Sequence, residues 1–235
     1  MSLKNRNQDI LFYAIVVQFI LIGFLIFQIY QLNTKLNITN ALLSRTFAIE
    51  NASVKDVHLN VNEHDIVIGN IEAPIPVFIY TSYGCSFCSE FFMKDFPELN
   101  KSFIETGIVK LVVRFMISGN DPKKTLAASL ALASNKADRF QSYNEMMLVQ
   151  YKNLDSVQMI IKTEEILQGN ENLLASSKLY KEQLTLDYNE AKFIGVKGTP
   201  SFVIDGKLYT GYKNFNELQK IIEKLCEEKF QNCED

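Results

Sequence analysis

The sequence contains few of the residues that mark the more specialised classes of protein. Ten of its 235 residues are glycine, five are proline and 47% are hydrophobic, which excludes collagen-like, low-complexity and wholly disordered chains. Its 24 lysines and arginines do not exceed its 27 aspartates and glutamates, so the basic excess typical of a nucleic-acid-binding protein is absent. Four cysteines are too few for a small disulfide-dense domain. The length suits one large domain or two small ones.

A long run without charge lies near the N-terminus. Asp9 and Lys35 are successive charges, and residues 10–30 between them are mostly aliphatic or aromatic. About 20 such residues cross the ~30 Å hydrocarbon core of a bilayer, so we predict a transmembrane anchor. Lys4 and Arg6 precede it, which favours a cytoplasmic N-terminus. The alternatives are a cleaved signal peptide and a buried helix of a soluble domain.

Residues 31–63 are a polar connector that contains a weak heptad pattern. The simpler interpretation is a helical stalk. Self-association through the apolar stripe is the alternative, although two heptads are too few to specify a coiled coil. The stripe consists of Ile29, Leu32, Leu36 and Leu43.

The motif Cys85-Ser86-Phe87-Cys88 follows a short apolar run of strand-forming residues, 77–80. Apolar spacing predicts a helix over residues 86–104 that Pro97 kinks or interrupts. Residues one helical turn apart have Cα atoms ~5 Å apart, within the range that a disulfide tolerates. Free N–H groups and the helix dipole would favour a thiolate at Cys85, which makes the disulfide more oxidising.

Three other interpretations of this motif remain open. The pair could be half of a zinc site, a purely structural disulfide, or two buried thiols. A zinc site would need a second ligand pair, for which Cys226 and Cys233 have a poor spacing. If the last helix ends near Phe230, Cys226 and Cys233 could instead form a structural disulfide with each other.

A second pattern begins 107 residues after the first, at Gly195. Thr199-Pro200 precedes a short apolar run, Asp205-Gly206 follows it, and a second strand pattern ends at Tyr209. Asp-Gly between two such runs predicts a β-hairpin. Proline at the start of a strand costs little, because no ladder hydrogen bond is lost there.

Together these patterns resemble the DsbA family of thiol:disulfide oxidoreductases, including its BdbD-like members. The resemblance covers residues 64–229. Within that range it includes the segments Gly69–Pro74 and Phe96–Leu99. It implies an α/β thioredoxin-like fold with an inserted helical domain, preceded by the transmembrane helix. The predicted organisation is a cytoplasmic N-terminus (1–9), an anchor (10–30), a stalk (31–63), a thioredoxin-like domain (64–120 and 193–230), an inserted helical domain (121–192) and a C-terminal tail (231–235).

The resemblance implies that Cys85 and Cys88 are catalytic and that Pro200 is a cis-proline facing them. Thr199 would pair its main chain with an extended substrate, and Ser86 and Phe87 would contact that substrate. The expected activity is oxidation of cysteines in exported proteins, in the periplasm or another extracytoplasmic space. The expected partners are those client proteins, the membrane, and a membrane-bound or soluble protein that recycles the disulfide. No nucleic acid, metal or organic cofactor is implied, because the cysteine pair carries the electrons.

The sequence departs from the family near the motif. No histidine stands beside the second cysteine, and Ile79, Thr81 and Ser82 occupy the stretch where many relatives carry an acidic residue. The direction of the reaction therefore stays open at this stage. A reductase or isomerase of the same fold, and a non-catalytic thioredoxin-like binding module, are the alternatives.

Overall fold

The computed structural model describes residues 18, 21–36, 57–117, 121–168 and 173–230, with backbone alone for 173–179 and 230. The chain divides into two units, Met1–Asn51 and Ala52–Asp235. In the first unit, residues 21–36 form a helix whose large apolar side chains are exposed. No helix within the described ranges is long and apolar enough to cross a membrane. The predicted transmembrane helix is thus not shown, and its residues 10–17, 19 and 20, like 37–56 of the stalk, lie outside the described residues.

The second unit is built on a mixed five-stranded sheet in the order β1-β3-β2-β4-β5. The strands are β1 (Ile66–Ile68), β2 (Ile75–Thr81), β3 (Val109–Phe115), β4 (Ser201–Ile204) and β5 (Lys207–Thr210). The central strands β2 and β3 are parallel, and every other neighbouring pair is antiparallel. Pro76 lies in the central strand β2, but pairing with β4 begins only at Val77, so its missing N–H does not interrupt that ladder.

Helices and loops cover both faces of this sheet. The helices are α1 (Ser86–Glu90), α2 (Phe96–Leu99), α3 (Pro122–Lys136), α4 (Phe140–Gln150), α5 (Ser156–Leu167), α6 (Leu173–Phe193) and α7 (Phe215–Phe230). Val77 and Ile79 of β2 face one core, to which α2, α3 and α7 contribute. Phe78 and Tyr80 face the other, which the end of α6 helps to close. This alternation follows from the two-residue period of a strand.

The helical insertion α3–α6 lies between β3 and β4, so the predicted thioredoxin-like fold with an inserted helical domain is confirmed. Asp121 caps α3, where its side chain accepts a hydrogen bond from the Lys124 N–H at 3.0 Å. The predicted hairpin is also present: β4 and β5 pair across Asp205 and Gly206, both of which have positive φ. The individual domain limits stay predictions.

The helical stretch after the cysteine motif is less regular than its apolar spacing predicts. Two π-helical turns, Phe91–Asp95 and Asn100–Ile104, flank α2, and Pro97 lies near the start of that helix. Asp95 is buried in the first π turn and accepts hydrogen bonds from the Phe215 N–H at 2.9 Å and from the Tyr212 hydroxyl. The π turn therefore connects this stretch to the start of α7.

A fully buried ion cluster joins the sheet to the segments around it. Arg114 of β3 is 1% exposed and donates to both carboxylate oxygens of Asp65, at 2.9 and 2.7 Å. It also donates to Glu190 of α6, which in turn accepts from the Tyr80 hydroxyl at 2.6 Å. A buried charge is tolerated only when it is paired and hydrogen-bonded, and here every member is.

Replacing Arg114 should destabilise the fold strongly. Arg114→Met leaves Asp65 and Glu190 buried without their cation, so we expect the free energy of unfolding in urea to fall by about 3–5 kcal/mol. Additional Asp65→Asn and Glu190→Gln changes, which remove the unpaired charges, should recover part of the loss. The exposed Lys101→Met is the matched control, with an expected change below about 0.5 kcal/mol. A loss below about 1 kcal/mol for Arg114→Met would contradict this account.

Candidate active site

Cys85 lies at the junction between the central strand and the first helix. β2 ends at Thr81, a turn follows, and Cys85 is the N-cap of α1 with an extended backbone. Its sulfur accepts a hydrogen bond from the Cys88 N–H at a Cys88 N to Cys85 Sγ distance of 3.4 Å. The predicted location of the motif is therefore correct, and the helix's free N–H groups face the sulfur.

The turn before Cys85 is fixed by close aromatic packing. Gly84 has φ +83°, and a Cβ placed there would lie 2.6 Å from the ring of Tyr151. The neighbouring Tyr83 is buried, stacks on Tyr151 at 6.3 Å and donates a hydrogen bond to Asn144 at 3.0 Å. Residues of the inserted domain thus hold the loop that carries Cys85.

The Thr199-Pro200 segment lies directly against this sulfur. Its peptide bond is cis, as the sequence analysis expects. The Cys85 Sγ donates to the Thr199 carbonyl oxygen at 3.2 Å, although the two residues are 114 positions apart. Ser201, the first residue of β4, donates from its hydroxyl to the Gly198 carbonyl at 2.8 Å and so stabilises the bend.

The pKa of Cys85 is lowered to about 5. The largest cause is the hydrogen bond from the Cys88 side chain to the thiolate, and partial burial opposes it. The Thr199 side chain and the N–H groups of Cys88 and Phe87 lower this pKa further, because each stabilises negative charge on the sulfur.

The second sulfur has the opposite character. Cys88 is 2% exposed, and its pKa is raised well above that of an ordinary thiol because it donates to Cys85 and is desolvated. Both cysteines are free thiols in this structure. Thr81 stands in the stretch of sequence that contains no carboxylate. Its side chain makes a hydrogen bond to Cys88 that lowers the pKa of this thiol and so opposes the other two effects. Sequence reasoning missed that contact.

The two residues between the cysteines are at the surface. Ser86 is exposed, and Phe87 is 56% exposed. The Phe87 ring lies 6.1 Å from the ring of Tyr212, which precedes α7. The structure therefore brings Cys85, Phe87 and Thr199 to one surface.

The other cysteine pair is away from this surface. Cys226 is buried in α7 and is disulfide-bonded, so its sulfur is not available as a zinc ligand. Cys233 lies outside the described residues, and the pairing of Cys226 with Cys233 stays a prediction. The helix α7 ends at Phe230, as that pairing requires.

A cavity of about 150 Å³ opens beside Cys85, and sequence reasoning did not identify it. Two lysines, Lys124 and Lys197, contribute to its lining together with Gly198 and Thr199. Lys197 stands two residues before Thr199, which was an available signal. Lys124 comes from the first turn of α3, and only the tertiary fold shows that it is close.

Comparisons with known proteins agree with this geometry. A family model described as thioredoxin matches residues 61–224. A Rickettsia conorii protein named as a protein-disulfide oxidoreductase is 28% identical over 200 residues, which cover 79% of this chain and 70% of the relative. Disulfide bond formation protein D of Bacillus subtilis is 23% identical over 172 residues, covering 67% and 75%.

A solved structure has the same fold. The crystal structure of alpha-DsbA1 from Wolbachia pipientis is similar with a TM-score of 0.59 and 21% identity. The similarity covers 71% of this chain and 93% of that one. At this identity the likeness concerns the fold.

The thiolate of the reduced protein should be directly observable. We expect its ultraviolet absorbance to follow one titration with a midpoint near pH 5, because the pKa of Cys85 is about 5. Cys88→Ala removes the main hydrogen bond to the thiolate and should move the midpoint upward, and Cys88→Ser, which keeps a donor, should move it less. Cys85→Ser is the control and should show no step in that range. A wild-type midpoint near the ~8.5 of a free thiol would contradict the described electrostatics.

Proposed function

The chain belongs to the thioredoxin family, and from that membership we propose that it is a protein thiol:disulfide oxidoreductase whose redox centre is Cys85–Cys88. The observation that carries the proposal is the pairing of a partly exposed sulfur of lowered pKa with a buried sulfur of raised pKa. The Thr199 main chain beside the first sulfur supports it. Named relatives with disulfide chemistry give independent support.

In the oxidising direction, exchange starts from the Cys85–Cys88 disulfide. A client thiolate attacks the Cys85 sulfur, the bond to Cys88 breaks, and Cys88 leaves as a thiolate that takes up a proton. A second client thiolate then attacks the client sulfur of the mixed disulfide and releases Cys85 as a thiolate. The client loses two electrons and the cysteine pair gains them. When no second client thiol is available, Cys88 attacks Cys85 and releases the client unchanged.

The direction that we propose is net oxidation of client cysteines. A stabilised thiolate leaves readily and favours the reduced state of the cysteine pair, which makes its disulfide an oxidant. The lowered pKa stabilises the reduced fold fully above the ~8.5 of a free thiol, and this stabilisation declines as the pH falls and is lost near pH 5. The neutral Ser86-Phe87 dipeptide adds no charge, so the Cys88 thiol, followed by the Thr199 side chain and the backbone N–H groups, lowers the pKa of Cys85.

Client binding is proposed to use the main chain of Thr199. A client segment in extended conformation would place its cysteine over Cys85 and pair its backbone with this residue. Main-chain pairing does not depend on side-chain identity, which suits clients of many sequences. The exposed Phe87 ring and Ser86 would border the same segment.

We also propose that the redox domain is extracytoplasmic and tethered to the membrane by residues 10–30. The uncharged run in the sequence supports the tether, as do the exposed apolar side chains of residues 21–36. Disulfides form and persist in oxidising compartments, where a client oxidase would operate. A redox partner, membrane-bound or soluble, is then required to remove the two electrons after each turnover.

Serine replacements separate the roles of the two cysteines. Cys85→Ser should abolish oxidation of a reduced two-cysteine peptide, because no sulfur remains to form the mixed disulfide. Cys88→Ser has no disulfide to offer the reduced peptide, but with the oxidised peptide its Cys85 thiolate should attack the peptide disulfide and displace one peptide sulfur as a thiolate. The resulting mixed disulfide should accumulate, because no Cys88 thiolate can release it, and should be visible as a higher-mass species on a non-reducing gel. Thr185→Ser, an exposed substitution on α6, is the control and should retain full turnover. Turnover by Cys85→Ser would contradict the role of Cys85, and absence of turnover by the wild type would favour the non-catalytic binding module.

Cell fractionation after rapid alkylation of thiols tests both the direction of the reaction and the attachment to the membrane. In cells that express the full chain, we expect the protein in the membrane fraction with Cys85 and Cys88 mostly protected from alkylation, because a recycled oxidase stays oxidised. A fully alkylated pair would identify a reductase or isomerase instead. Recovery in the soluble fraction would contradict the tether.

A further inference from the structure

The cavity beside Cys85 has a marked excess of positive charge. Lys197 is exposed and forms no ion pair with a carboxylate of the described residues. Lys124 is 35% exposed at its side chain and has one partner, Asp121, at 3.3 Å. The adjacent Lys123 lies over the Tyr151 ring, with its Nζ 4.6 Å from the ring centroid. Lys124 and Lys197 therefore give the lining of this cavity two ammonium groups, and Asp121 pairs with one of them.

The flank of Cys85 that carries Phe87 is apolar. There the Phe87 ring contacts Tyr212. Burial raises the pKa of Tyr212 above its ordinary value, and so do the nearby carboxylates of Asp95, Glu90 and Glu217. Glu90 and Glu217 are each paired with a lysine, at 3.8 and 3.3 Å, so this flank has little net charge. A client segment that crosses Cys85 thus passes from a cationic flank to an apolar flank.

We propose that the cavity next to Cys85, lined by Lys124 and Lys197, binds a carboxylate group of the thiol substrate, so that cysteines with an acidic neighbour on one side react preferentially. This inference rests on the proposed function, because it concerns the substrates of the same redox centre. The volume of about 150 Å³ suits one short acidic side chain. Lys197 stands two residues before Thr199, so both contact the same stretch of substrate.

The physical basis is charge complementarity at a partly exposed site. Complementary charges speed the encounter of two molecules and select their register, and like charges placed together disfavour the wrong arrangement. The cavity lies on one side of Cys85 and the apolar Phe87 flank offers no cation, so the preference has a direction along the client. Two sources share this chemistry: an acidic residue beside a client cysteine, and the carboxylates of a small thiol such as glutathione.

The test compares matched reduced peptides that contain two cysteines and carry Asp or Lys on the N-terminal or the C-terminal side of the first one. The oxidised full-length protein is mixed with each peptide, and separately with reduced glutathione, and the second-order rate constants are measured. Three proteins are compared: the wild type, Lys197→Glu, and Lys224→Glu. Lys224 is an exposed lysine on α7 that does not line the cavity, so it is the matched charge-reversal control.

We expect the wild type to oxidise the Asp peptide faster than the Lys peptide when the charged residue is on one side of the first cysteine, and to show no such difference when it is on the other side. Lys197→Glu should lower the ratio of the two rate constants about tenfold, because attraction is replaced by repulsion at one site. Lys224→Glu should keep the wild-type ratio within about twofold, and ~1 M salt should reduce the wild-type preference. A Lys197-dependent preference among peptides identifies a client side chain as the source, whereas dependence seen with glutathione alone identifies the small thiol.

Two results would overturn the inference, and they differ in what else they affect. In the first, the protein oxidises all peptides and glutathione, the ratio of the Asp-peptide to the Lys-peptide rate constant is near one, and Lys197→Glu changes none of the rate constants. This result would contradict the carboxylate site and leave the proposed function intact. No reaction with any of these thiols would remove the proposed function and the inference together.

Discussion

The site depends on one contact, in which the main chain of Thr199 lies against the Cys85 sulfur at the start of α1. The sheet determines it: β4 pairs antiparallel with β2, and Ser201 lies opposite Tyr80. The end of β2 and the start of β4 therefore meet at the same edge of the sheet. The residue before β4 and the turn after β2 come together there, which places the Thr199 carbonyl 3.2 Å from the Cys85 sulfur.

The position of the two cysteines on the helix makes their sulfurs unequal. Cys85 is at the first turn of a helix, where unpaired N–H groups solvate negative charge, and it stays accessible between the helix and the Thr-Pro bend. Cys88, one turn later, points into the protein and is desolvated. The asymmetry follows from the spacing of the motif on a helix rather than from any charged side chain nearby. A positive residue inside the motif is thus not needed to lower the pKa of the first thiol.

Local patterns were enough to predict much of this structure. The cysteine motif after a strand and the Asp205-Gly206 hairpin depend on neighbours in sequence, and the structure has both. Other features depend on residues far apart in sequence. They are the π turns, the hydrogen bond between Asp95 and the start of α7, and the pair of lysines beside Cys85. The spacing of apolar residues along the chain does not predict contacts between distant residues. The limits of the anchor and the stalk rest on sequence alone.

The difference between the two sulfurs has a consequence for proton balance. Between pH 5 and the ordinary thiol range, the reduced pair holds a single hydrogen, on Cys88, since Cys85 stays ionised. Forming a disulfide in a client with two protonated thiols liberates two hydrogen ions, of which the enzyme retains one and the medium receives the other. The acceptor that later restores the disulfide collects two electrons but only the remaining hydrogen ion. Each turnover therefore releases one hydrogen ion to the medium when the client is oxidised and passes the other to the acceptor when the disulfide is restored.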